Sequence, residues 1–183
     1  MQVVRHRAGA ELSPALRITY RLAANAADLD PGPTTLAEEA LCFELVSAVA
    51  PDALLSAPVA PPPGADLLMR CDRVDFPPGA VAHLHTHPGP GLRVLLHGTL
   101  RIDTRGGAAT HGPGDAWFES GPDPVHATAS ATEPSAFVRC LLLPRAVHGR
   151  SSIAYVRPED ADLPKLQRYT VFVDAPIALP AAA

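Results

Sequence analysis

Proline and glycine set the first limit on this chain: 21 prolines and 13 glycines are spread through 183 residues. Proline lacks the donor that a helix or sheet interior needs, and glycine marks tight turns. Short apolar runs between such breakers read as strands, and long helices have few places to form. The expected strands are Leu16 to Leu22, Leu67 to Phe76, Val81 to His87, Leu92 to Leu96 and Thr99 to Thr104, followed by Asp115 to Glu119, His126 to Ala129, Ala136 to Leu143, Ile153 to Val156 and Tyr169 to Val173. Thr35 to Ala48 opens with helix formers and turns β-like from Cys42, so it is read as a helix running into a strand. Ala57 to Pro63, with Pro58, Pro61, Pro62 and Pro63, is read as an extended linker. It divides one domain into an N-terminal arm, residues 1–65, and a main body, residues 66–183. Arg157 to Gln167 reads as a polar loop or a single helical turn.

Composition excludes several function classes. The chain is 47% hydrophobic and 19% charged with a net charge of -4, which suits a packed core and gives nucleic acid no basic stripe to bind. Aromatic residues make up 5%, too few for the stacking platforms of single-strand binders. No apolar run is long enough to cross a bilayer, so no membrane partner is expected. Arg5, His6 and Arg7 are followed by Gly9, Glu11 and Ser13 and not by an apolar core, so a cytoplasmic location is expected. Cys42, Cys71 and Cys140 are odd in number and lie among apolar neighbours, which reads as reduced, buried thiols and not as metal ligands.

The chemistry-bearing feature is the run His83, Leu84, His85, Thr86, His87 after the turn Pro77, Pro78, Gly79. On a strand, alternate residues share a face at a Cα spacing of ~7 Å. His85 and His87 therefore suit a common metal ion, while a pair of surface histidines is the plainer alternative. His83 falls on the same face by this count and is read as a rim residue. Downstream stand the turn Pro88 to Gly91, the run Leu92 to Leu96, Gly98, the turn Gly112, Pro113, Gly114, Asp115, then Glu119 and His126.

This order resembles the two motifs of the cupin superfamily, as found in small single-domain bacterial cupins. Gly79, His85, His87 and Gly98 match the first motif, and Pro113, Gly114, Asp115 and His126 match the second, with a loop before His126 about one residue longer. The match is close over Phe76 to Ala127 and weaker over the C-terminal stretch. Two positions depart from the pattern: the acidic residue of the first motif is Gly91, and the asparagine after the last histidine is Ser130. The resemblance implies an all-β cupin double-stranded β-helix, a jelly-roll barrel, with an N-terminal arm and a C-terminal strand extension. It also implies one divalent metal ion, Fe, Mn, Ni, Zn or Co, on His85, His87 and His126, with Glu119 as the fourth ligand.

Such a centre suits an enzyme acting on a small oxygenated or anionic organic molecule, with dioxygenase-type chemistry placed ahead of a metal-dependent isomerase or hydrolase. A non-catalytic small-molecule binding or sensing barrel is the alternative, because the fold hosts many functions. If Gly91 faces inward, Arg93 shares that face and suits a substrate carboxylate or enolate, and Trp117, in step with Glu119, is assigned to the pocket wall or the core. The resemblance also implies pairing through an edge strand or an exchanged arm, as cupin barrels commonly show, which makes a homodimer the expected assembly.

Overall fold

The computed structural model describes residues 1–59, 61 and 65–179. The breaker-bounded runs become strands: β1 (Gln2–His6), β2 (Glu11–Leu12), β3 (Leu16–Arg21), β4 (Ala26–Leu29), β5 (Thr34–Thr35), β6 (Ala40–Leu45), β7 (Leu55–Ser56), β8 (Leu67–Phe76) and β9 (Val81–Thr86). They continue as β10 (Gly91–His97), β11 (Leu100–Thr104), β12 (Gly107–His111), β13 (Ala116–Glu119), β14 (Val125–Ala129), β15 (Ser135–Pro144), β16 (Ala154–Tyr155) and β17 (Arg168–Ile177). The helical turns are two short 3-10 segments, Arg145–Val147 and Pro158–Asp162. No helix among the described residues is long and apolar enough to cross a membrane.

Two sheets face each other, one ordered β13-β10-β15-β8-β17 and the other β12-β11-β14-β9-β16. Counting β8 as the first strand, the eight strands β8 to β15 fall in the orders 6-3-8-1 and 5-4-7-2. This interleaving of antiparallel strands is the jelly roll. Gly98, at φ 77°, turns the chain between β10 and β11, and a Cβ there would stand 2.3 Å from the Pro134 carbonyl oxygen. Only glycine meets both demands.

A third sheet, β4-β3-β6-β1-β7, is built from the N-terminal residues. Its Val3, Ile18, Tyr20 and Phe43 pack with Met69, Leu92, Val138 and Leu142 of the first barrel sheet in one apolar cluster. A second cluster fills the barrel interior around Phe76, Leu100, Trp117 and Phe137. A smaller one, Leu68, Leu141 and Leu143, lies further along the same inward face. All three cysteines are free and buried.

The expected helix over Thr35 to Ala48 is not formed. β6 occupies Ala40–Leu45, with Ala40 and Cys42 facing a small cluster with Leu12 and Leu36 while Leu41 and Phe43 face the main one. A strand covered on both faces shows no alternation, which removes the period that separates strand from helix. Within the expected linker, residues 60, 62 and 63 lie outside the described residues. Ala57 is buried and exchanges two backbone hydrogen bonds with Met1, at 2.9 Å and 3.0 Å.

Candidate functional site

Between the two apolar clusters inside the barrel runs a belt of charged side chains. Asp72, Arg139, Arg93 and Trp117 stand opposite one another on β8, β15, β10 and β13, and the next inward rung is Arg70, Leu141, Gly91 and Glu119. Arg93 is fully buried, and burial pulls its pKa down to about 10, so it keeps its charge at neutral pH. Its Nη1 donates to the Gly91 carbonyl oxygen at 2.6 Å. Its Nη2 stands 2.6 Å from Glu119 Oε2, yet no aligned hydrogen bond satisfies that buried nitrogen. Trp117 Nε1 donates to Glu119 Oε1 at 2.9 Å and fixes the carboxylate. Arg139 donates from Nε and Nη2 to the two oxygens of Asp72 at 2.7 Å and 3.2 Å, and lies 5.6 Å from the centre of the Tyr169 ring.

His85 and His87 close the chamber from the facing side, their rings 5.0 Å apart and nearly perpendicular. His85 Nδ1 donates to the His83 carbonyl oxygen at 2.7 Å, and His87 Nδ1 donates to that of Ser152 at 2.9 Å. A carbonyl only accepts, so both rings turn an unprotonated Nε2 inward. That of His87 accepts from Arg139 Nη1 at 3.3 Å. No hydrogen bond from the described residues reaches that of His85. Burial pushes both imidazoles below their ordinary pKa, helped at His87 by the Arg139 and Arg93 charges, so both are neutral at neutral pH.

His85, His87, Arg93 and Glu119 thus line one chamber, together with Arg139 and Tyr169. Trp117 belongs to the barrel core and reaches the site through its hydrogen bond to Glu119. The structure does not bring His126 to them. Along β14 the inward residues are Val125, Ala127 and Ala129, with Val125 directly opposite His85. His126 faces the other way, with Nδ1 3.9 Å from Asp103 Oδ2 on β11. His83 is also turned out of the chamber. Pairing of β14 with β9 steps from Val125↔His85 to Ala127↔Ala82, an irregularity that gives β9 one extra residue and breaks its alternation. Asp72, Arg139 and Tyr169 escaped the sequence reading. The available signal was a single arginine inside the apolar run Ala136 to Leu143, and Arg70 and Asp72 alternating with apolar residues in β8.

The jelly-roll strand order, with the His85–His87 pair entering the chamber from the second strand and Gly79 and Gly98 at its turns, decides the architecture. The chain has the cupin fold. No family model matches the chain, and no curated protein does. Among solved structures it is similar to the polyketide cyclase RemF from Streptomyces resistomycificus at 19% identity, over 52% of this chain and 65% of that one, with a TM-score of 0.42. It is similar to an oxalate oxidase in complex with glycolate at 16% identity, over 52% of each chain, TM-score 0.42. A cupin domain from Bordetella pertussis Tohama I is 19% identical over 41% of this chain and 81% of that one, TM-score 0.36. The matched region spans from about half to two thirds of the first two of these proteins.

In this barrel the residues present do not fit the divalent ion that the sequence motifs imply. Among the described residues no group of three or more His, Cys, Asp or Glu is placed to hold a metal. His85 and His87 aim ligand-type nitrogens inward, but the place opposite His85 is Val125, and Glu119 is held by Arg93 and Trp117. Two guanidinium groups stand where a cation is expected, and like charges oppose one another strongly away from water. The departure at Gly91 explains the exchange. A Cβ at Gly91 would stand 3.1 Å from Arg93 Nη1 and 2.6 Å from the Cys140 carbonyl oxygen, so the absence of a side chain there makes room for the arginine. The carboxylate arrives instead from Glu119, directly across from Gly91 on the neighbouring strand.

Proposed function

We propose that this cupin binds a small organic anion, a carboxylate or enolate, with one oxygen in the arginine chamber. The observation that carries the reading is Arg93: a fully buried, charged guanidinium whose Nη2 is ion-paired with Glu119 but has no aligned hydrogen-bond acceptor. An arginine in that state favours an added anionic oxygen, because charge-assisted hydrogen bonds are the strong ones and unmet buried donors are unfavourable. The chamber is about 20 Å3, room for roughly one water or one substrate oxygen. The dioxygenase chemistry anticipated from the motifs depends on a metal that this donor set does not assemble. A second reading, an enzyme that moves a proton on the bound anion, is favoured by His85. Its neutral imidazole presents an Nε2 with no partner among the described residues, which suits a general base.

Calorimetric titration of the chelator-treated protein with acetate and pyruvate tests the binding. Stoichiometric binding is expected, weakened by about 30-fold or more in Arg93→Met, the loss of a charge-assisted contact. Arg93→Lys, which keeps the charge, covers the case of a misfolded methionine variant and is expected to bind more weakly than the parent. Unchanged affinity in folded Arg93→Lys and Arg93→Met proteins, or binding that requires added metal, overturns the proposal.

A further inference from the structure

Arg139 and Tyr169 are shared walls: on one side lies the chamber, and on the other a cleft of about 390 Å3. That volume is within the range of small-molecule sites, whereas the chamber holds little more than one oxygen. The rest of any molecule that places an oxygen in the chamber needs a second space, and the cleft adjoins it through these two side chains.

The cleft is preformed. Arg70, buried beneath its rim, donates from Nη1 to the Arg150 carbonyl oxygen at 2.8 Å and from Nη2 to that of Val147 at 2.9 Å. The same guanidinium pairs with both oxygens of Asp174, at 3.0 Å and 2.9 Å, and Asp174 accepts from the Gly149 amide at 2.7 Å. At its other end the rim is fixed by Ser152, which is buried and whose carbonyl accepts from His87. The segment that borders the cleft is thus tied to the barrel floor and to the chamber histidine at once.

Its lining states the chemistry it takes. Ile153, the exposed Val171 and the Tyr169 ring supply apolar surface. Across chamber and cleft, Arg70, Arg93, Arg139 and Arg150 face three carboxylates, Asp72, Glu119 and Asp174. Four guanidinium groups against three carboxylates leave one positive charge over, and Arg150 has no ionic partner among the described residues. Resting on the anion-binding reading above, we infer that the ligand is a monocarboxylate with an apolar body: the head meets Arg93 in the chamber, the body lies in the cleft against Tyr169 and Val171, and Arg139 forms the wall between them.

Calorimetric titration of the full chain with acetate, hexanoate and adipate tests this. Each buried methylene adds appreciably to binding, so hexanoate should bind about 30-fold or more tighter than acetate. Adipate, the dianion of equal length, should bind more weakly than hexanoate. Val171→Trp and Ser151→Trp, both surface changes that fill the cleft, should bring hexanoate down to the affinity of acetate, and Arg150→Glu should weaken hexanoate by about 10-fold. Acetate binding that depends on Arg93 but is not surpassed by hexanoate overturns this inference alone. So does hexanoate binding that survives both tryptophan substitutions, or adipate binding tighter than hexanoate. Failure of all three acids to bind overturns the anion-binding reading and this one together.

Discussion

Arg93 and Glu119 leave water as a pair, and each is the reason the other tolerates burial. Removing one partner of such a pair leaves an uncompensated charge, whereas replacing both with apolar groups is close to neutral. Arg93→Met is therefore expected to lower unfolding stability by about 3–5 kcal/mol, and the double change with Glu119→Leu to recover most of it. Urea unfolding checks this, and a single-variant loss under about 1 kcal/mol contradicts it. The two chamber histidines add a pH dependence of definite sign. Both are held below their ordinary value of 6.5, chiefly by burial. Above that value native and unfolded chains alike keep them neutral, and their contribution to stability is complete. As pH falls below it, the unfolded chain takes up protons that the native chamber refuses. Stability should then drop by roughly 1.4 kcal/mol per pH unit for each histidine until its folded pKa is reached. Melting curves between about pH 7 and about pH 5 should show the decline, and His87→Gln should flatten it; a flat profile for the parent protein is the contrary result.

The strand is the scale at which the histidines part company. Side chains alternate across a sheet, so a shift of one residue sends a side chain to the opposite face. The loop before β14 is one residue longer than the motif it resembles, and Val125 takes the inward place while His126 goes to solvent beside Asp103. His126→Ala should accordingly leave anion binding unchanged and alter stability by no more than about 0.5 kcal/mol, as surface substitutions do. A marked loss of binding in that variant would put His126 back in the chamber. Much of the element order was legible beforehand. β8, β10, β11, β13 and β15 fall where breakers isolate apolar runs, and Gly91, Arg93, Trp117 and Glu119 take the alternation expected of them. β1, β2, β4, β5, β7 and β12 were not anticipated, since they are short and owe their place to their partners, β1 to β6, β4 to β3, β7 to β1 and β12 to β11, more than to their own composition. The bulge in β9 left no local sign either, because it is defined against the partner strand β14.

On the scale of the whole molecule, the barrel is not self-sufficient. The outward face of its first sheet carries Met69, Leu92, Val138 and Leu142, and the N-terminal sheet covers them. A chain lacking residues 1–59 should expose that face, bind a hydrophobic dye and aggregate, whereas the full chain should not. Light scattering and dye fluorescence decide between them, and a dispersed, dye-silent truncated barrel would show that the third sheet is dispensable. The homodimer expected from the sequence is a proposal that sedimentation tests, with twice the 19.2 kDa chain mass as the supporting result and the single mass as the refuting one. β17 and β16 end the two barrel sheets and offer edges for such pairing. The N-terminal residues are already paired within their own chain, so exchange of the arm would require β1 to leave β6.

Spacing along the chain was enough to make the body of the protein β and to isolate most of its strands, while the barrel and the candidate pair His85 and His87 came from the resemblance of the histidine and glycine pattern to the cupin motifs. Those properties follow from local chemistry: where proline and glycine interrupt, and which residues alternate within one strand. The direction of His126, the arrival of Asp72 and Arg139 in the chamber, and the sharing of Arg139 between chamber and cleft were decided only in three dimensions. Each depends on register between strands distant in sequence, and a one-residue change in register inverts a face without altering any local pattern.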